Sequence, residues 1–154
     1  MPRSVIVAIT ALVAFMLIGV VLWLPAWLTS GPAFPRFVVP IALEILLLWG
    51  FVVGHRLAWQ WGRVLVFLGA VLLTIATVVA FSVVSIPEAA WLALGLGLFL
   101  LIQVVLAYVI FFALGTPSAR QHFRLICPSC GAATVRAADF FFNKAKCKSC
   151  GRVW

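Results

Sequence analysis

Four stretches of this chain are too apolar, for too long, to face water. Residues 5–24, VIVAITALVAFMLIGVVLWL, carry no charge. Residues 37–54 are interrupted only by Glu44, residues 64–84 carry no charge, and residues 89–114 hold Gln103 near their middle. About 20 apolar residues in a helix cross the ~30 Å hydrocarbon layer of a bilayer. In lipid an open chain can satisfy its own backbone only as a helix. The chain is 66% hydrophobic and 9% charged, where soluble domains run at about 25% charged. With a mean hydropathy of +1.27, it has far too little polar surface for a soluble fold. The expectation is four transmembrane helices.

The first run is longer than the ~7–15-residue core of a signal peptide, and no A-x-A site follows it, so it is read as a retained helix. Lys and Arg set the orientation. Arg3 precedes the first span, Arg56 and Arg63 lie between the second and third, and seven more follow the fourth. Four crossings put all of these on one side, with Arg36 alone on the other. Both termini are therefore expected to be cytoplasmic, in the cell membrane. Trp23, Trp27 and Trp91 then fall at the outer interface and Trp59 and Trp61 at the inner one, as headgroup anchors. Short loops imply antiparallel neighbours in a compact bundle. Ala70, Thr74 and Thr77 form a small-residue face for close helix packing.

All four cysteines lie near the C-terminus. Cys127, Cys130, Cys147 and Cys150 give C-x2-C, sixteen intervening residues, then C-x2-C. That spacing is read as a zinc site. Each tight turn aims two sulfurs at one point, and four thiolates complete the tetrahedron that Zn²⁺ prefers. Gly131 and Gly151 follow the pairs, where a positive φ lets backbone N–H groups approach the sulfurs. Residues 133–136 and 139–142 are short β-prone pieces between the pairs. So small a unit needs a staple, and metal binding would be most of its folding free energy. One structural zinc is the expected cofactor, because four protein thiolates leave no open position for a substrate.

The stretch resembles a zinc ribbon, two CPxCG-type knuckles joined by a small antiparallel sheet. Cys127-Pro128-Ser129-Cys130-Gly131 matches the first knuckle. Cys147-Lys148-Ser149-Cys150-Gly151 matches the second without its proline. The whole arrangement is also similar to small uncharacterised multi-spanning membrane proteins of bacteria that carry such a ribbon at one end. Neither likeness implies an activity. The expected fold is thus an all-α membrane protein: a four-helix transmembrane bundle over 1–114, an interfacial linker over 115–126 and a small β zinc ribbon over 127–154.

The linker, GTPSARQHF at its core, reads as a short interfacial helix. Thr116 caps it, Pro117 takes its first position, Phe123 points to lipid, and His122 sits at the interface rather than on the metal. In the triple Phe140, Phe141, Phe142, alternation along a strand would leave at least one ring exposed.

Glu44 is the only ionisable residue well inside a span, and such a residue is a functional candidate by default. A continuous helix aligns Glu44, Leu48, Phe51 and His55 on one face, with His55 about 16 Å from Glu44. Pro40 leaves the start of that helix open. A helix begun there holds Glu44 one turn in, near the outer headgroups. Gln103, Thr74 and Thr77 are its candidate partners. Glu88 follows Pro87 in the first turn of the fourth helix, where the dipole favours a carboxylate.

No nucleophile–base pair, paired carboxylates or phosphate-binding loop occurs, so no enzyme is expected. The first function class is a non-enzymatic binding or assembly module, its ribbon presenting a basic surface to a protein partner. The second is a small transporter or channel subunit using Glu44, possible as a homo-oligomer. The third is a membrane-bound thiol redox protein, but CPSC lacks the βαβ context of that chemistry. Nucleic acid is an unlikely partner. Seven Lys and Arg from Arg120 onward stand against Asp139, and four thiolates on Zn²⁺ offset two of those charges. The bilayer's anionic leaflet can use the rest.

Overall fold

The computed structural model describes every residue except 30–34, 87–89, 134, 140, 141 and 143, and describes no side chains over 22–38. The chain is mostly helical: α1 (Arg3–Thr29), α2 (Pro35–Val53), α3 (Arg56–Ser82), a 3-10 turn (Val83–Ser85), α4 (Ala90–Gly115) and α5 (Pro117–His122). Strands β1 (Val135–Ala137) and β2 (Ala145–Cys147) follow. Three stretches are long and apolar enough to cross a membrane: Arg3–Val21, Arg56–Ser85 and Ala90–Gly115. The described apolar part of α2, Val39–Val53, is shorter. The outward sides of these helices are lined with exposed Leu, Val, Ile and Phe, as expected for a protein whose surroundings are lipid.

Helix α4 is the centre of the packing. It lies against α3 and α1, while α2 touches α1 and α3 more lightly. Small residues allow the close approach: Ala70, Thr77 and Ala80 of α3 and Ala93, Gly97 and Ala107 of α4 are buried. Thr74 and Thr77 return their hydroxyls to the carbonyls of Ala70 and Leu73 in their own helix. Their hydroxyl protons are therefore spent on α3.

Helix α3 begins at Arg56, ahead of the uncharged run over 64–84. Two expectations are corrected here. First, His55 is not on the face of α2. Gly54 takes φ 75° and the His55 N–H reaches back to the Gly50 carbonyl at 2.9 Å, the hydrogen bond of a Schellman stop. His55 is instead the N-cap of α3, its Nδ1 accepting from the Leu57 N–H. Second, Phe123 does not face lipid. It is fully buried, with its ring 6.0 Å from that of Phe51 in an edge-on contact.

The linker is thus folded under the bundle. Thr116 caps α5, accepting from the Ala119 N–H, and Pro117 opens the helix. Ser118 meets Ser4 of α1 at 2.8 Å. His122 Nε2 donates to the Phe51 carbonyl at 3.0 Å. A second Schellman-type stop, with Arg124 at φ 52° and Leu125 N–H on the Arg120 carbonyl, turns the chain towards the cysteines. One continuous apolar core then runs from Val5, Phe51, Ile110 and Leu114 through Phe123 and Leu125 to Phe142 and Ala145. Trp23, Trp27, Glu88, Phe140 and Phe141 carry expectations that fall outside the described side chains.

Two substitutions test this join. Gly54→Ala puts a Cβ at positive φ and 2.9 Å from the His122 carbonyl oxygen. It should lower stability by roughly 1–3 kcal/mol. Phe123→Ala should cost about 3–5 kcal/mol by opening a cavity. Thermal unfolding in detergent measures both, and wild-type midpoints would contradict the shared core.

Candidate metal centre

The two cysteine pairs sit on matching loops. In the first, the Cys127 N–H donates to the Ala132 carbonyl and the Gly131 N–H to the Cys127 carbonyl, both at 3.0 Å. In the second, the Cys147 N–H donates to the Arg152 carbonyl at 2.8 Å and the Gly151 N–H to the Cys147 carbonyl at 3.1 Å. Gly131 and Gly151 take φ of 68° and 76°, the left-handed turn that only glycine enters without strain. The same six-residue pattern thus builds the same loop twice.

A small sheet sets the loops face to face. β1 and β2 pair antiparallel, with Val135 opposite Cys147 and Ala137 opposite Ala145. The C-terminus adds to the other side of β2: Ala145 and Trp154 exchange both backbone hydrogen bonds, and Lys146 pairs with Val153. Asp139 and Phe142 lie outside both strands. Phe142 adopts φ 54° and is buried, and Asp139 Oδ1 accepts from the Lys144 N–H at 3.2 Å. The Asp139 carboxylate thus closes its own hairpin.

All four sulfurs lie within 4.8 Å of one another. Cys127 is 3.6 Å from Cys150 and Cys130 is 3.5 Å from Cys147. A tetrahedral Zn²⁺ with Zn–S near 2.3 Å has S···S edges of about 3.8 Å. The four cysteines can therefore hold a metal ion, and the set fits zinc. Cys127 and Cys147 are buried, while Cys130 and Cys150 are exposed, so an ion has a path to the site. The close sulfur contacts run between the loops. A dithiol–disulfide couple needs only the two sulfurs of one loop.

The thiols are poised unequally. Burial disfavours the Cys127 thiolate, but the N–H groups of Cys130 and Ser129, with the thiols of Cys150 and Cys130, outweigh it and bring Cys127 down to about 6. For Cys147 the Cys150 N–H is the largest influence and lowers it. At Cys130 the Ala132 N–H favours the thiolate, yet proton sharing with Cys147 and Cys127 pushes it up to about 12. Crowded sulfurs cannot all ionise without a cation between them.

The other candidates stand apart. Glu44 is the tenth of nineteen residues in α2, so it is central and not one turn in. It lines a cavity of about 260 Å³ bounded by α1, α2, α3 and α4. Gln103 is buried and donates from Nε2 to the Phe15 carbonyl of α1 at 3.3 Å. That makes it a strut between α4 and α1. His55 is a helix cap and His122 is engaged by α2.

Sequence reasoning missed Arg56 and Trp154. Arg56 is 8% exposed. Its Nη1 donates to the Trp154 carbonyl at 3.2 Å and its guanidinium lies 5.7 Å from the Trp154 ring centroid. The Trp154 indole N–H donates to the Arg124 carbonyl at 3.3 Å. An arginine and a terminal tryptophan separated by most of the chain give no local signal of such a pair. Comparison with known proteins finds no family model, curated protein or solved structure that matches the chain.

Zinc binds thiolates, so metal binding must displace the protons still present. At about pH 7 Cys127 is mostly thiolate, while Cys130 is still a thiol. Binding should release protons, and metal retention should fall as the pH drops through about 6. A folded thiol with a depressed pKa also loses its stabilising ionisation in that direction. Calorimetric titration of metal-free protein in two buffers of different ionisation enthalpy measures the release. Retention that does not change between about pH 7 and pH 5 would contradict this account.

Proposed function

We propose that this is an integral membrane protein that crosses the bilayer four times and displays a cytoplasmic zinc ribbon as a protein-binding or assembly module, without enzymatic activity. The ribbon holds one structural Zn²⁺ through Cys127, Cys130, Cys147 and Cys150. The observation that carries the reading is the continuous core from the bundle into the ribbon. A ribbon seated this way is a rigid platform and not a tethered flag. Its outer side carries Arg136, Lys144, Lys148 and Arg152, all exposed. A preorganised surface loses little entropy on docking, and its charge favours a partner with an acidic face.

The fourth crossing is supported by the length of α2. Nineteen residues rise about 28 Å, close to the ~30 Å needed. The cytoplasmic placement is supported by ten of the eleven Lys and Arg falling on one side of four crossings.

A second reading is a small transporter or channel subunit built on Glu44, and the cavity enclosed by the four long helices favours it. A homo-oligomer would then supply the pathway that four helices have little room for.

The two readings separate in one set of variants. Arg136→Glu with Lys148→Glu should abolish recovery of the partner with the detergent-solubilised chain while zinc stays bound, whereas unchanged recovery would sink the docking reading. Glu44→Gln should leave both zinc and partner in place. A loss of proton or ion flux in vesicles reconstituted with Glu44→Gln, set against wild type, would move the assignment to the second reading.

A further inference from the structure

Arg63 lies in the second turn of α3. Its guanidinium sits 5.2 Å from the Trp59 ring centroid and 4.8 Å from that of Phe111 on α4. Its Nε is shut off from solvent and has no hydrogen-bond partner among the described residues. Arg120, on α5, is in the same condition: its Nε is also buried and unpartnered. The Arg120 charge acts on Arg63, so the two guanidiniums are electrostatic neighbours of like sign. Between their elements lies Gly115, the last residue of α4. A Cβ there would stand 3.6 Å from Arg63 Nη2, so the missing side chain leaves that nitrogen's side open.

Two like-charged guanidiniums, each with a buried and unpartnered Nε, repel one another unless an anion joins them. The chain has only three acidic residues. Glu44 is in the middle of α2, Asp139 closes the ribbon hairpin, and Glu88 comes in the sequence beyond the far end of α3. Among the described residues none accepts from the Nε of Arg63 or Arg120. An anion from outside the chain can supply the compensating charge.

We infer that Arg63 and Arg120 form a binding site for the phosphate of an anionic lipid headgroup. A guanidinium presents a planar fork that matches two phosphate oxygens, and two forks can clamp one phosphate from α3 and α5. The height is right for a headgroup. Gly115 ends α4, and the Trp59 indole N–H donates to the Leu114 carbonyl at 2.9 Å, so the site is level with the helix ends where tryptophan meets the interface. The walls favour lipid over a free anion. Phe111 packs on Phe67 at 5.5 Å between centroids, and the neighbouring Phe112 is 68% exposed, offering an acyl chain an apolar surface below the phosphate. The inference rests on the membrane reading and is independent of any ribbon partner.

The test uses the full zinc-loaded chain in nanodiscs of phosphatidylcholine, alone or with a minor fraction of phosphatidylglycerol. Thermal unfolding and the lipid retained after detergent extraction, weighed by native mass spectrometry, are the readouts. Phosphatidylglycerol should raise the wild-type midpoint and be retained roughly tenfold over phosphatidylcholine. Arg63→Gln with Arg120→Gln should lose both effects while keeping its zinc. Lys144→Gln, on the exposed ribbon hairpin, should keep both. Arg63→Lys with Arg120→Lys preserves the charge but not the fork, and should lose most of the preference. Full retention by the lysine pair, or by the glutamine pair, overturns the site. A rise in midpoint with inorganic phosphate in pure phosphatidylcholine equal to that with phosphatidylglycerol overturns the lipid assignment.

Discussion

The C-terminal unit shares its apolar core with the helices, and this sharing organises the rest of the molecule. Phe142 and Ala145 belong to the same cluster as Phe51, Leu114 and Val5 of the helices. Backbone pairing within two three-residue strands cannot hold such a unit. Four cysteines that can hold a metal ion gather on one side of it, and the helices' end supplies the floor on the other. The linker is consequently a structural element. Phe123 and Leu125 are as buried as anything in the helices, and each is placed by a backbone stop that turns the chain under α2.

Arg56 does a related job by different physics. A guanidinium at the start of an apolar helix takes a carbonyl and an indole face from Trp154. The C-terminus is thereby held between β2 and α3. Arg63 uses aromatic faces in the same way but keeps an unmet donor. Among the described residues, Arg56 and Arg63 are thus met by rings and, at Arg56, a carbonyl.

Glu44 shows how far pattern alone carries. Its presence in an apolar run is visible from the sequence, and so is its cost. Its neighbours are not. The proposed stripe to His55 required the helix to continue, and one glycine ended it. Gln103, Thr74 and Thr77 looked available because hydrogen-bonding capacity can be read from letters. The fold gives each of them to a backbone carbonyl instead.

Local chemistry is what the sequence by itself determined. Runs of apolar residues dictate helices because lipid offers the backbone no partner. Two C-x2-C-G loops dictate sulfur turns because the spacing and glycine leave little else. These features need only residues close together in the chain. The tertiary structure alone decided that Phe123 turns inward, that Arg56 meets Trp154 and that Arg63 neighbours Arg120. Each depends on residues far apart in sequence, brought together by the folding-back of α5 beneath the bundle. Periodicity and spacing carry no information about such meetings, because the energy that fixes them comes from burying one surface against another.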